Sequence, residues 1–294
     1  MRLVRTIGEA RDEVARARAA GRTVALVPTM GAFHAGHEAL MRAARAGSDL
    51  VVVSLFVNPT QFDRAADLAA YPRVEDEDAA TAERAGADVL FAPSVEEMYP
   101  AGFATTVSVG GISEILEGAH RPGHFTGVST VVTKLLTIVA PDVAWFGAKD
   151  AQQLLVVRRL VADLDLPVRI EALATVRESD GLARSSRNRR LTPGERERAR
   201  ALPEALAAAG AAVREGERDP GAIAARAREA AGSRIELEYV AVVDPETLVG
   251  PDAIHGEVQI AAAAHVGAVR LIDNLRAAPP TPFPAVEPTR EEIA

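Results

Sequence analysis

The first 176 residues alternate short apolar runs with longer segments of helical character. The clearest run, LVVVSLFV at 50–57, is almost continuously apolar, which is typical of a strand buried on both faces. The predicted strands are 23–27, 50–57, 89–92, 143–146 and 168–173, and the predicted helices are 6–20, 36–47, 75–85, 127–139 and 151–163. This alternation predicts a parallel sheet with helices on both faces, a Rossmann-like, doubly wound α/β fold.

The pattern changes after about Val176. An arginine-rich loop is followed by two alanine-rich helical segments and three strand-like runs. The helical segments are 193–212 and 220–231, and the runs are 236–243, 258–264 and 269–272. We therefore expect a Rossmann-like, ligand-binding domain at 1–176 and a smaller C-terminal α+β domain at 177–294. From about Ala277 the composition, rich in proline and polar residues, predicts a loose tail.

The charge balance limits the possible partners. With 33 Lys and Arg against 41 Asp and Glu, the formal net charge is −8, so the overall field repels nucleic acid and anionic membranes. The chain has no cysteine, which excludes disulfides and thiolate metal sites. No uncharged apolar run approaches the roughly 18 residues of a membrane span. The sequence predicts a cytoplasmic protein without nucleic-acid or membrane partners, in which a local basic site holds any anionic ligand.

Three unusual polar segments follow predicted strands directly. They are PTMGAFHAGH at 28–37, NPTQF at 58–62 and GAKD at 147–150. In open parallel sheets, ligands bind at the carboxyl ends of the strands. The three segments are therefore expected to form one site.

His34 and His37 stand three residues apart where a strand and a glycine-containing turn meet the start of a helix. This spacing places both imidazoles on one face, and a helix N-terminus offers free N–H groups to phosphate. The pair can bind nucleotide phosphates and offset charge that develops during attack on the α-phosphate. Two other interpretations remain, a helix cap beside an unrelated histidine and a zinc pair, although no third zinc ligand accompanies them.

Five ordered blocks between Pro28 and Leu191 resemble a known family. They are Pro28-Thr29-Met30-Gly31 with His34-Ala35-Gly36-His37; Phe56-Val57-Asn58-Pro59-Thr60-Gln61-Phe62; Arg121-Pro122-Gly123-His124-Phe125 with Gly127-Val128; Phe146-Gly147-Ala148-Lys149-Asp150-Ala151-Gln152-Gln153; and Ser185-Ser186-Arg187-Asn188. The first resembles the signature of HxGH nucleotidyltransferases, and the set resembles the pantothenate synthetases, the pantoate–β-alanine ligases.

The resemblance implies a reaction. Pantoate and β-alanine are condensed at the expense of ATP through a pantoyl-adenylate intermediate, with release of AMP and pyrophosphate. ATP is a substrate, Mg²⁺ accompanies the triphosphate, and no organic prosthetic group is expected. The resemblance further implies a homodimer formed through the N-terminal domain. Two rivals are a nucleotidyltransferase that stops at adenylylation of another small substrate and a nucleotide-binding regulatory module without turnover.

The resemblance also assigns the nucleotide site. Its ATP-binding positions are Met30, Gly31, His34, Gly36, His37, Gly147, Lys149, Asp150, Val176, Arg184, Ser185, Ser186 and Arg187. The catalytic positions are His34, His37, Lys149 and Arg187, with His37 the candidate proton donor. From the residues alone, a surface Lys-Asp pair, core packing of the valine and a solvated or nucleic-acid-binding arginine loop are the alternatives. Arg184 stands where the family usually has an apolar residue.

The assigned substrate ligands are amides. Gln61 and Gln153 would bind pantoate, and Asn58 would lie beside them, because uncharged amides bind hydroxyl and carboxylate groups without adding charge. The alternatives are turn formation at Asn58-Pro59 and an ordinary surface position for Gln153. Arg121 and His124 flank a Pro-Gly pair, and we expect them to form a loop that faces phosphate or gates the substrate.

No metal ligand is assigned with certainty from the sequence. Asp76 and Asp78 in an acidic run are candidates for holding magnesium. Acidic residues in a first helical turn also compensate the helix dipole, which is the alternative.

Overall fold

The computed structural model describes residues 1–280 and contains a six-stranded parallel sheet. The strand order is β1-β4-β3-β2-β5-β6, with every neighbouring pair parallel. The strands are β1 (Arg2–Val4), β2 (Val24–Thr29), β3 (Leu50–Leu55), β4 (Val89–Phe91), β5 (Val143–Gly147) and β6 (Arg169–Leu173). The predicted fold class is confirmed. The short strand β1 was not predicted, because three residues are too few to show alternation.

Helices connect these strands and cover both faces of the sheet. The helices are α1 (Ile7–Ala19), α2 (Ala35–Gly47), α3 (Ala65–Ala69), α4 (Glu75–Arg84), α5 (Val95–Met98), α6 (Glu117–His120), α7 (His124–Val139) and α8 (Ala151–Asp163). Short 3₁₀ turns occur at Pro59–Gln61, Ala148–Asp150 and Ser186–Arg190. Helix α7 begins three residues before the predicted 127, because Gly123, at φ +81°, ends the preceding turn.

A second, antiparallel sheet follows in the order β7-β8-β9. Its elements are α9 (Pro193–Ala199), α10 (Ala201–Glu215), α11 (Pro220–Ala231), β7 (Glu236–Val243), β8 (Val258–Val266) and β9 (Val269–Ala277). The segment predicted as one helix at 193–212 is two helices that meet at Arg200. The prediction ended β9 at Ile272, before the charged residue Asp273, but the strand continues five residues further to Ala277. The carboxylate of Asp273 can be buried within the strand because it is paired with Arg177. The tail was predicted from about Ala277, which instead ends β9, and the part of it beyond residue 280 lies outside the described residues.

Each sheet has its own apolar core. One face of the parallel sheet packs against α1, α7 and α8 through residues such as Leu26 and Phe91, and the other packs against α2 and α4 through residues such as Met41. Helices α10 and α11 cover one face of the antiparallel sheet. No helix within residues 1–280 is long and apolar enough to span a membrane.

Candidate active site

The turn after β2 has a backbone conformation that side chains rarely adopt. Gly31 has φ +89°, and a Cβ there would lie 2.7 Å from Leu55 Cδ1. Ala32 follows at φ +53°. Asp78 holds this turn, since its two carboxylate oxygens accept the N–H groups of Ala32 at 2.8 Å and Phe33 at 2.6 Å. The sequence did not reveal that Asp78 holds this turn. His34 follows the turn directly, so Asp78 helps to position it.

His34 is the N-cap of helix α2, and His37 accepts a hydrogen bond from the backbone of His34. His34 Nδ1 accepts the backbone N–H of Gly36 at 3.2 Å, and His37 Nδ1 accepts that of His34 at 3.3 Å. The two ring centroids lie 4.1 Å apart. A neutral imidazole that accepts at Nδ1 carries its hydrogen on Nε2. Both rings therefore hold a defined tautomer, with an Nε2–H that can donate to a ligand oxygen.

These histidines are neutral near pH 7. Burial lowers the pKa of His34 to about 4, and the cations Lys149, Arg184 and Arg189 act in the same direction. Burial, with the charge of His34, lowers the pKa of His37 to about 3. The pair thus offers hydrogen-bond donors rather than fixed positive charge. This arrangement argues against the predicted role of His37 as a proton donor, since a neutral imidazole is a very weak acid.

The positive charge comes from the turn after β5. Lys149 Nζ lies 3.5 Å from Asp150 Oδ1, and the lysine side chain is 17% exposed. Burial opposes ionisation of Asp150, but Lys149 and Arg187 outweigh it, so the pKa of this carboxyl lies below its ordinary value. A point charge beside a carboxylate suits a nucleotide, with phosphates on the ammonium and ribose hydroxyls on the carboxylate.

The arginine-rich loop lies against both segments. Its start is fixed by the Arg184 N–H, which donates to Val176 O at 2.9 Å. Ser185 Oγ accepts the N–H of Arg187 at 3.3 Å, opening a 3₁₀ turn. Arg189 Nη2 donates to Phe33 O at 3.2 Å. The loop therefore meets the turn before His34, and its cations act on His34 and on Asp150.

A buried amide network follows strand β3. Asn58, only 1% exposed, donates from Nδ2 to Gln61 Oε1 at 3.0 Å and to Gly127 O at 3.1 Å. Its Oδ1 accepts the Tyr99 hydroxyl at 2.8 Å. Gln61 Nε2 lies 2.9 Å from Met30 Sδ, which joins this network to the turn after β2. The geometry gives Asn58 the role of orienting Gln61, and the sequence offered no sign of Tyr99.

Arg121 and His124 contact the same glutamine through its backbone. His124 Nδ1 donates to Gln61 O at 2.8 Å, and Arg121 Nη1 lies 3.2 Å from His124 Nε2. Burial, with the charge of Arg121, lowers the pKa of His124 to about 4. Gly127 one turn later is required, because a Cβ there would lie 2.3 Å from Thr60 O. The loop 121–124 thus supports the amide network.

Among the described residues, the structure shows no polar contact that commits Gln153 or Asp76 to the predicted roles. Gln153 is half-buried at the start of α8, whereas its neighbour Gln152 is buried and donates to Ile112 O and Ile115 O at 2.7 Å. Asp76 is exposed and Asp78 is committed to the turn, so the structure does not bring these carboxylates together as a pair. Within residues 1–280, no group of three His, Cys, Asp or Glu is placed to hold a metal.

Comparison with known proteins places this site in a family. A model of the family described as Pantoate-beta-alanine ligase matches residues 2–276. The chain belongs to the pantoate–β-alanine ligase family. A pantothenate synthetase from Rhizorhabdus wittichii is 54% identical over 95% of this chain and 99% of its own length. One from Moorella thermoacetica is 51% identical over 94% of this chain and 98% of its own.

Solved structures agree with this assignment. The pantothenate synthetase of Thermus thermophilus has a TM-score of 0.89 to this ligase at 46% identity, covering 94% of this chain and 99% of that one. The pantoate–β-alanine ligase of Francisella tularensis, complexed with β,γ-ATP and β-alanine, has a TM-score of 0.78 at 33% identity, covering 94% and 97%. The family resemblance, the ligase class and the use of ATP are confirmed.

Proposed function

We propose that this ligase condenses pantoate with β-alanine in two steps at the site formed after β2, β3 and β5. A pantoate carboxylate oxygen attacks the α-phosphorus of ATP and expels pyrophosphate, giving pantoyl-adenylate. The β-alanine amine then attacks the acyl carbon, and the C–O bond to AMP breaks as the amide forms. The observation that carries this proposal is the pair of histidines at the start of α2, each held in one tautomer. They lie close enough to Lys149, in the turn after β5, for its charge to lower their pKa values.

The first step needs stabilisation of charge on the phosphates. In the proposed arrangement, His34 and His37 donate Nε2–H bonds to phosphate oxygens, and Lys149 and Arg187 supply full charges. A well-placed donor to developing negative charge is worth about 3 to 4 kcal/mol. Met30, Gly31, Gly36, Gly147, Asp150, Val176, Arg184, Ser185 and Ser186 complete the proposed ATP site. Mg²⁺, when bound with the triphosphate, would neutralise part of its charge and orient the leaving pyrophosphate.

The acid substrate lies beside the amides. Gln61 is held in place by Asn58 and Met30, so its side chain is preorganised before pantoate arrives. Gln153, one residue past the buried Gln152 at the start of α8, is the second proposed pantoate ligand. Preorganised amides hold a hydroxy acid without adding charge next to the phosphates.

The proposed lid is the domain 177–294, with its boundary near Val176. The arginine-rich loop follows this boundary directly, and closing over ATP would exclude water from the acyl-adenylate. We also propose a homodimer formed by the N-terminal domain. The segment 101–106 supports it, because the segment is exposed, lacks helix and strand, and includes Phe103, an exposed aromatic side chain. Light scattering after gel filtration tests the dimer. A cytoplasmic location remains a prediction.

The deciding experiment measures AMP, pyrophosphate and amide from magnesium ATP with pantoate and β-alanine supplied separately and together. The proposal predicts pyrophosphate release with pantoate, and AMP with amide only when both substrates are present. Pyrophosphate release that never leads to amide would favour a nucleotidyltransferase. ATP binding without turnover in any combination would favour a regulatory module.

A further inference from the structure

Strand β9 of the C-terminal sheet turns a polar face toward the N-terminal region. Asn274 donates from Nδ2 to Lys149 O at 2.7 Å and to Ala148 O at 3.1 Å. These carbonyls belong to the 3₁₀ turn that carries the proposed phosphate-binding ammonium. A residue 125 positions away in the chain therefore fixes the backbone of the nucleotide site.

The orientation of the Asn274 amide is itself determined. Its Oδ1 accepts Gln259 Nε2 at 2.9 Å, and Gln259 is only 2% exposed. Gln259 Oε1 in turn accepts Arg276 Nε at 3.3 Å. This relay of donors and acceptors fixes which end of each amide is oxygen, so the Asn274 NH₂ group faces the Lys149 turn.

The preceding residue of β9 holds the other cationic segment. Asp273, whose side chain is 1% exposed, accepts Arg177 Nη1 at 2.6 Å and Nη2 at 3.1 Å. Arg177 pairs through a backbone bridge with Ala183, at the base of the loop that carries Arg187. Adjacent residues of one strand thus fix the two cationic segments relative to each other.

We propose that Asn274 is a positioning residue for the nucleotide site, which sets the location of Lys149 through the two carbonyls of its turn. The inference rests on ATP binding at that turn. Reactions depend on ångström placement, and an error of about 1 Å can cost about a hundredfold. Losing these bonds should therefore weaken ATP use and leave the binding of β-alanine unchanged.

The test compares Asn274→Asp and Asn274→Ala with Tyr239→Phe. Asn274→Asp keeps the side-chain shape but sets a carboxylate oxygen against two carbonyl oxygens. Tyr239→Phe is the matched control, because it removes a hydrogen bond of 2.9 Å from the C-terminal sheet to Glu117 on helix α6 rather than to the Lys149 turn. Thermal unfolding identifies the folded variants, and KM for ATP, KM for β-alanine and ATP binding by calorimetry are measured for each.

We expect both Asn274 variants to raise KM and Kd for ATP about ten- to a hundredfold, with KM for β-alanine within about twofold, and Tyr239→Phe to change neither. Unchanged ATP constants in the Asn274 variants would overturn the proposal, as would an equal change in Tyr239→Phe. If the alanine variant does not fold, the aspartate variant decides by the same constants. If the unmodified protein makes no amide, the proposed function fails, whereas calorimetry still measures the effect of Asn274 on ATP binding.

Discussion

The parallel and antiparallel sheets of this ligase are built from different side chains. In the part of the chain that the structure describes, ten of the 23 core residues of the C-terminal sheet and its helices are alanine, against eight of the 40 in the two cores of the parallel sheet. Alanine allows close approach, as Gly210 does where a Cβ would lie 2.5 Å from Leu275 Cδ2. Each alanine buries little apolar area, however, so packing stabilises the C-terminal region less.

The two regions also divide the chemistry. The phosphate and substrate groups mostly follow strands of the parallel sheet, because its carboxyl ends converge. The antiparallel sheet contributes polar contacts between regions, including the bidentate pair of Arg270 with Glu117 at 2.7 Å. Tyr239 donates to the same carboxylate. The difference teaches that the parallel sheet carries the groups proposed to react, whereas the antiparallel sheet contributes polar contacts that join the two regions.

The largest effects should come from the two cores themselves. Leu26 on β2 is 0% exposed and Leu206 on α10 is 1% exposed. Leucine-to-alanine changes in cores cost about 2 to 5 kcal/mol, and more where the surroundings cannot collapse. We expect Leu26→Ala near the top of that range, since β3 and β5 fix its strand, and Leu206→Ala near the bottom, since a helix packed on small residues can shift. Urea unfolding measures both, and the reverse order would contradict the comparison.

Removing one histidine should separate chemistry from stability. His37→Ala is expected to lower the adenylation rate about 10²- to 10³-fold, because it removes a donor to the phosphate charge. The unfolding free energy should fall by only about 1 kcal/mol, the cost of a lost helix cap. Pyrophosphate release and urea unfolding measure the two effects. His255→Ala, an exposed position in the C-terminal region, is the control, and full activity in His37→Ala would remove His37 from the mechanism.

Loss of the Asp78 carboxylate should loosen the turn after β2. Asp78→Ala leaves the N–H groups of Ala32 and Phe33 without their acceptor, at a cost of about 1 to 3 kcal/mol for each buried group left unpaired. Adenylation should fall as the turn loosens, and added Mg²⁺ should not restore it. The control is Asp76→Ala, which is expected to behave as the unmodified protein. Recovery of adenylation by the Asp78 variant at high Mg²⁺ would instead support the predicted role of Asp78 as a magnesium ligand.

The sequence predicted the fold better than it predicted these supporting contacts. Apolar periodicity is local, so the strands from Val24 to Leu173 and the alternation that makes the sheet parallel were visible. The contact of Asp78 with Ala32 spans 46 positions and that of Asn274 with Lys149 spans 125. In the sequence, Asp78 and Asn274 look like ordinary surface polar residues. Their supporting roles are therefore visible only in the folded chain. Motif resemblance supplied the candidate site, and its individual roles remain predictions.

The smallest expected effect is a dependence of the unfolding free energy on pH, which arises from His34 in the N-terminal region. The native pKa of His34, about 4, lies below its ordinary value of 6.5, so the unfolded chain binds more protons between these pH values. The associated stability is fully present above about pH 6.5 and is lost as the pH falls toward about 4. The unfolding midpoint should therefore decrease from pH 7 to pH 5.

His34→Asn isolates this contribution from the carboxylates that titrate in the same range. Asparagine is also a favourable N-cap, so its side-chain oxygen can accept the Gly36 N–H while carrying no titratable group. We expect the midpoint of this variant to fall less steeply with pH than that of the unmodified protein, with similar values at pH 7. Identical slopes would mean that native His34 takes up its proton at an ordinary pKa. The His34 imidazole would then be partly protonated near pH 7, and His34 would no longer be a purely neutral hydrogen-bond donor to the phosphates.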